Sequence, residues 1–351
     1  MTFGEVPRTR HVFFAAAPMH LICIYELKQT LSRYDYDLIL FRSNHDHANI
    51  QINNTLNLLG LNQTMEYFIS DNPLIKFFRV TVLVRRLSQK YKKQRVLFTL
   101  FDFRNTIMHM IRDRFHGQDF ILLDDGFYTC VAYEKFIKHG IFYPLEEKSG
   151  GWRKAILRYL CFGDRIERLM ATPVGIFSLF YDFFDEPKPQ GAKNNLTGLR
   201  ALLGVAAKIV DEDTVIFIGT KLSERKAMSI EDELLCMNWV REYWAKRNKR
   251  LIYVGKRSSS SLKLNQIEKI GIKVISFDLP LEVALSSLEK LPCAICSTGS
   301  TLLTTLPMIY GSIEYYFCDF TKYYRNVADR AIFELSKKHG NMSPNSTLTV
   351  P

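Results

Sequence analysis

The chain has 351 residues, with 47 Lys and Arg against 36 Asp and Glu, a formal net charge of +11. Hydrophobic residues at 47% and charged residues at 24% are ordinary globular usage, which excludes disorder, collagen and coiled coil, and the length predicts two domains of roughly 150 residues each. No run reaches the ~18 uninterrupted apolar residues of a membrane span. The nearest, residues 171–184, is broken by Pro173, Gly175 and Asp182. The first ten residues lack the apolar region of a secretion signal, so the expected location is the cytoplasm.

Taken in chain order, strand-like runs alternate with helical ones. Strands are expected over 11–17, 36–41, 65–69, 95–100 and 119–123, with helices over 21–31, 53–59, 75–91 and 105–115 between them. This β-α-β repetition predicts a parallel sheet covered by helices on both faces. Residues 127–185 are aromatic and basic and are expected to be mainly helical. The stretch 186–195, with two prolines, a glycine and few apolar groups, reads as a linker. The rhythm then resumes: helices over 198–210, 230–246, 264–270, 280–288, 300–310 and 323–338, and strands over 214–218, 250–254, 273–277, 292–296 and 312–317. The expected architecture is α/β: a Rossmann-like domain over 1–185, the linker, and a second over 196–325. Residues 326–351 form a C-terminal helix crossing back and a tail. Two such domains facing across a cleft make the GT-B fold, and ligands of open α/β sheets lie at the carboxyl ends of the strands.

Several strand ends carry reactive groups. After 120–123 come Asp124, Asp125 and Gly126, where one carboxylate can face the cleft while the other braces the turn; the plainer reading is an Asp-Gly turn. After 215–218 come Gly219 and Thr220, which can offer backbone and hydroxyl groups to a ligand, and the carboxylate Glu224. Ser229 to Asp232 has capping-box spacing for the next helix. After 251–254 come Gly255, Lys256, Arg257 and a run of serines, either an anion site or a solvated loop. After 292–296 come Ser297, Thr298, Gly299, Ser300 and Thr301 at a helix start, suited to phosphate or simply capping the helix. In the first β-α turn, Ala15 to Ala17 and Pro18 precede His20, which can hydrogen-bond an acceptor or be structural.

These elements, in this order, resemble the bacterial sialyltransferase families of GT-B fold, particularly lipooligosaccharide sialyltransferases and capsule polysialyltransferases. The resemblance covers most of the chain in motif order: the opening turn up to His20, Asp124-Asp125-Gly126, Gly219 to Glu224, and Ser297 to Thr301. It implies an inverting glycosyltransferase that moves a nonulosonic acid from its CMP derivative to a surface glycan, lipooligosaccharide or capsule, with no metal and no cofactor. Asp125 would be the base, with Glu224 the alternative. Lys256, Arg257, Ser300 and Thr301 would hold and neutralise the phosphate. Asp124, Gly126, His20, Gly219, Thr220, Ser297, Thr298 and Gly299 complete the substrate-binding set. One departure stands out: where the family places His-Pro or His-Arg, this chain has Gly255-Lys256-Arg257. Lys256 takes the histidine's place, or an offset leaves Arg257 as the basic residue. That widens the donor from sialic acid to pseudaminic, legionaminic or Kdo sugars. The alternative is a non-catalytic CMP-sugar-binding partner in a glycan-assembly complex.

The positive excess fits an acidic donor, an oligosaccharide or glycolipid acceptor, and peripheral contact with an anionic membrane. Nucleic acid is not expected, because the basic clusters at 85–86, 90–95, 153–158 and 246–250 lie among helical apolar residues and no nucleic-acid module is present. A homodimer is compatible with the same reading. Seven scattered cysteines read as free buried thiols. The one C-x-x-C, Cys293 to Cys296, sits in a strand-like run.

Overall fold

The structure, a computed structural model, describes residues 10–31, 35–44, 46–70, 72–143, 165–204, 208–256, 259–325, 330, 334 and 347–350. The chain divides into two compact units, Met1–Asn195 and Leu196–Pro351. Each is built on one all-parallel sheet with intervening helices, the doubly wound α/β architecture that the alternation of the sequence predicts.

In the first unit the strands are β1 (Arg10–Ala15), β2 (Tyr36–Arg42), β3 (Met65–Phe68), β4 (Val96–Leu100), β5 (Asp119–Leu123), β6 (Gly175–Ser178) and β7 (Gly191–Lys193). Their order in the sheet is β3-β2-β1-β4-β5-β6-β7. The connecting helices are α1 (Pro18–Thr30), α2 (Asp46–Leu59), α3 (Pro73–Lys90), α4 (Thr106–Arg114), α5 (Tyr128–Lys135) and α6 (Arg165–Ala171). Val12, Phe13, Phe14, Leu38, Leu40, Phe98 and Leu123 in the central strands are fully or almost fully buried, as expected for strands sandwiched between two helical layers.

Two expectations for this unit are corrected. Residues 127–185, as far as they are described, hold a strand as well as helices: β6 extends the sheet beside β5, and it escapes periodicity because four residues buried on both faces show no alternation. Nor is 186–195 a plain linker. β7 pairs with β6, and Asn194 is buried, its backbone N–H donating to Ser178 O at 2.9 Å. The prolines end before the strand begins, so a three-residue edge strand fits behind a loop-like composition.

Two buried charges fix this unit away from its strand ends. Asp37, near the start of β2, accepts Arg10 Nε at 2.7 Å, Lys90 Nζ at 3.0 Å and the Tyr91 hydroxyl at 2.6 Å. Burial pushes its carboxyl pKa up, but these donors and charges outweigh it and leave the net value lowered. Arg112 of α4 is buried and donates to Phe142 O at 2.5 Å, Leu169 O at 3.0 Å and Thr172 O at 2.9 Å. It therefore ties α4 to both flanks of residues 144–164, which lie outside the described residues. Burial alone pushes its pKa down to about 10.

In the second unit the strands are β8 (Val210–Ile218), β9 (Arg250–Val254), β10 (Lys273–Ile275), β11 (Leu291–Ser297), β12 (Glu314–Asp319) and β13 (Thr347–Thr349), in the order β10-β9-β8-β11-β12-β13. The helices are α7 (Thr197–Leu203), α8 (Ile230–Ala245), α9 (Ser261–Lys269), α10 (Leu281–Ala284) and α11 (Leu302–Ile309). The helix expected over 198–210 is shorter. Gly204 ends it in the left-handed conformation (φ 58°), and Val210 already opens β8. Of the closing segment, most of 326–346 lies outside the described residues, so the helix expected to cross back is not described. Thr347–Thr349, expected as tail, is a strand paired with β12.

Asp37→Asn removes a charge from a buried cluster holding three donors, and should lower stability by about 3 kcal/mol, as breaking a buried ion pair typically does. Because the carboxyl pKa is lowered in the folded state, this contribution is present above the unfolded value of about 3.9 and fades as pH falls through the folded value. Urea titrations of wild type and variant at neutral and acidic pH check both the size and the sign.

Candidate functional site

In both sheets the strand order reverses once, between β1 and β4 in the first unit and between β8 and β11 in the second. The connections leave in opposite directions there, and the carboxyl ends of those strands are the default ligand position.

At the first switch point, β1 ends in small residues. Ala16 N donates to His20 Nδ1 at 3.1 Å, and the imidazole stacks on Phe101 at 5.0 Å between centroids. His20 is thus buried and engaged by its own turn. Beyond β4 lie Asp102 and Arg104, and beyond β5 lie Asp124 and Asp125. The adjacent acids are split by burial. Asp124 is fully buried, accepting Ser178 Oγ at 2.6 Å and Leu179 N at 2.7 Å, so it braces the β5 turn against the end of β6. Burial pushes its pKa up to about 7. Asp125 is half-buried, its backbone N–H donating to Thr129 Oγ1 at 3.0 Å and its carboxylate accepting Arg104 Nη2 at 2.6 Å. Gly126 follows in the left-handed region (φ 61°), where a Cβ would be strained, and lets α5 start at once.

Arg104 divides itself between two acids. Its Nε pairs with Asp102 Oδ1 at 3.2 Å, while its guanidinium stacks on Tyr128 at 3.7 Å. Burial raises the Asp102 pKa, and the charge of Asp125 raises it further. The sequence reading missed Asp102, Arg104 and Tyr128. The signal was available: they follow the strand over 95–100 and the Asp-Asp-Gly turn, at carboxyl ends of the same sheet.

At the second switch point, Gly219 N donates to Val254 O at 2.9 Å, and Thr220 Oγ1 lies 2.7 Å from Thr298 Oγ1. The hydroxyl pair links the ends of β8 and β11. Ser297 Oγ donates to Ile218 O at 2.9 Å, so its hydroxyl serves the sheet. Gly219 is required by close approach, since a Cβ there would come within 2.2 Å of the Tyr253 hydroxyl. Gly299 is left-handed (φ 111°), and Ser300 Oγ accepts Leu302 N at 3.3 Å, the start of α11. Thr301 is half-buried and gives the helix no side-chain cap. Lys256 is exposed, and Arg257 lies outside the described residues.

Glu224 is not a free carboxylate. Lys263 of α9, 1% exposed, donates to Thr220 O at 2.7 Å, Glu224 Oε2 at 3.1 Å and Glu233 Oε1 at 2.6 Å. All three ammonium donors are thereby used, and the loop from Thr220 to Glu224 is tied to α8 and α9. Burial pushes the Glu224 pKa up, but hydrogen bonds and the Lys263 charge outweigh it, and the net value is lowered. Lys263 and Glu233 were missed as well. The trace in the sequence is a lysine four residues before Ile267 on the inward face of a helix, where an apolar residue is the rule.

Ser229 caps α8, accepting Asp232 N at 3.0 Å, which matches its capping spacing. Cys293 and Cys296 lie three apart on β11 and so point to opposite faces. Cys293 contacts Thr214 O and Lys249, and Cys296 contacts Cys318. Among the described residues, no group of three or more His, Cys, Asp or Glu is arranged to hold a metal ion.

No family model matches the chain, and no curated protein matches it. Solved structures do. A Staphylococcus aureus MnaA bound to UDP matches with a TM-score of 0.54 at 10% identity, over 89% of this chain and 79% of that one. An α/β-galactoside α-2,3-sialyltransferase from Photobacterium phosphoreum matches with a TM-score of 0.52 at 13% identity, over 98% and 99%. A UDP-GlcNAc 2-epimerase from Methanocaldococcus jannaschii matches with a TM-score of 0.51 at 11% identity, over 97% and 88%. At these identities the likeness establishes the fold: two consecutive Rossmann-like domains of the GT-B class.

The raised pKa of Asp124 sets a sign. A carboxyl that holds its proton more tightly when folded makes stability greatest below its unfolded value of about 3.9, and that contribution declines as pH rises towards 7. Asp124→Asn should remove this slope, flattening the pH dependence by on the order of 3 kcal/mol between pH ~4 and ~8. Urea midpoints of wild type minus variant across that range measure it, and parallel profiles would count against the assignment.

Proposed function

We propose that the chain is an inverting glycosyltransferase that transfers a nonulosonic acid from its CMP derivative to a glycan acceptor. The observation that carries the reading is the split acid pair at the end of β5, with Asp124 buried as a brace and Asp125 solvent-accessible beside Arg104. A sialyltransferase among the structures of like fold, and the motif order shared with the bacterial sialyltransferase families, support CMP and an acidic sugar over other donors.

In this reading Asp125 accepts the proton of the acceptor hydroxyl as its oxygen attacks the anomeric carbon of the sugar. The bond from that carbon to the CMP phosphate breaks, its electron pair leaves with the phosphate, and the configuration inverts. Asp125 is preferred over Glu224 because its counter-ion Arg104 is about half exposed and can be exchanged, whereas Lys263, which pairs with Glu224, is buried. The second unit takes the nucleotide at its switch point, with the Thr220 and Thr298 hydroxyls lining it and Gly219 admitting the Tyr253 ring beneath them. Ser300, Thr301, Lys256 and Arg257 are assigned to the phosphate, where cations and hydroxyls neutralise charge as CMP departs. The Gly255-Lys256-Arg257 departure from the family's histidine motif keeps the donor class open among sialic, pseudaminic, legionaminic and Kdo sugars.

Incubation with each of these CMP sugars and a galactoside acceptor, read by mass spectrometry, tests the proposal. Transfer from one donor should fall about 10³-fold in Asp125→Ala, the scale of a lost general base, while CMP still protects the variant against thermal unfolding. CMP protection without turnover of any donor would favour a non-catalytic sugar-nucleotide binder. Interconversion of UDP-GlcNAc by the wild type, with no response to CMP, would place the chain with the epimerases of the same fold.

A further inference from the structure

We infer that the outer face of α3 is a docking surface for an anionic phospholipid membrane. The segment from Pro73 to Arg95 carries eight cations, Lys76, Arg79, Arg85, Arg86, Lys90, Lys92, Lys93 and Arg95, and not one Asp or Glu. Val80, Leu83, Leu87 and Tyr91 are buried and fasten one side of the helix to the sheet. At 100° per residue, positions 75, 78, 79, 82, 85 and 86 fall in an arc of about 120° on the other side. That arc is amphipathic along its length rather than around its circumference. Its first half shows Ile75 at 46% and Phe78 at 69% exposure, and Phe68 at the end of β3, 52% exposed, joins them at the same rim. Arg79 links the two elements by donating to Phe68 O at 3.3 Å. Its second half shows Arg85 and Arg86, continued past the helix end by Lys92 and Lys93, all exposed.

The charges identify the occupant. Lys90 is committed to Asp37 and Arg95 to Asp119, but none of Arg85, Arg86, Lys92 and Lys93 has an acidic partner among the described residues. Four such cations beside three exposed large apolar side chains match a surface that offers anionic headgroups above hydrocarbon. A helix lying flat can sink its apolar end below the headgroups and keep its basic end among them. No helix among the described residues is long and apolar enough to cross the membrane, so the contact is peripheral. The apolar end starts at the carboxyl rim of the first sheet, the rim that also carries Asp125. A lipid-anchored acceptor would meet that rim. The docking itself does not depend on which sugar is transferred.

Co-sedimentation of the full chain with vesicles of phosphatidylcholine alone, and of equal parts phosphatidylcholine and phosphatidylglycerol, tests this. Binding is expected to the anionic vesicles only and to weaken as salt is raised. Arg85→Gln with Arg86→Gln should weaken it about 30-fold, taking about fivefold per cation, and Ile75→Ser with Phe78→Ser by about tenfold. Neither double variant should change the melting temperature, because all four side chains are exposed. Equal binding to both vesicle types, no binding to either, or full binding by both double variants would overturn the inference. So would failure to bind vesicles combined with tight, Arg85- and Arg86-dependent binding of duplex RNA, which would make the face a nucleic-acid surface.

Discussion

Reversal of strand order in the middle of a parallel sheet is the constraint on which both candidate sites depend. On either side of the reversal the connections leave towards opposite faces, so two neighbouring strand ends stand with no helix drawn across them. The chain fills these gaps with residues that would be poor choices elsewhere. At the end of β1 they are alanines and a histidine folded back on its own turn. At the end of β8 the filler is a glycine pressed against a buried tyrosine, then a threonine that reaches Thr298 across the reversal. Sequence and backbone meet at these positions because a larger side chain would collide with what already packs there, the Tyr253 ring at Gly219 above all.

Much of the fold was legible because long strands with β-branched and aromatic residues alternate with helices whose apolar positions repeat at helical spacing. What escaped were β6, β7 and β13. They contain four, three and three residues, as short as the expected β3 and β10, and their membership in a sheet is decided by neighbours distant in sequence. The helix over 198–210 was overextended for a related reason. Its apolar pattern runs smoothly into β8, and only the left-handed Gly204 marks the stop.

The sites were legible in unequal measure. Carboxylates at strand ends announce themselves by type and place, so Asp124, Asp125 and Glu224 could be found from sequence. Which of them is available could not, because availability is set by partners that lie far along the chain. Ser178, fifty-four residues after Asp124, makes that acid a buried brace. Lys263, thirty-nine residues after Glu224, turns that acid into half of a buried ion pair. A linear reading sees three equivalent acids where the folded chain has one buried brace, one carboxylate pinned by a buried lysine and one paired with a half-exposed arginine.

The two units also hold their charges in different ways, and the difference bears on what each can do. Lys263 is buried with all three donors satisfied, so moving it would strand the buried Glu233 carboxylate without its counter-charge, a cost of several kcal/mol. The loop at the end of β8 is therefore set before any ligand arrives, and a ligand bound there loses little free energy to ordering it. Arg104 is about half exposed, stacked on Tyr128, and shared between Asp102 and Asp125. Water can replace either contact, so an anionic group arriving at that rim can draw the guanidinium off one acid while the other and the tyrosine ring retain it. The same physics that makes a buried pair unyielding and a surface pair cheap thus gives the second unit a fixed strand end and the first unit an adjustable one.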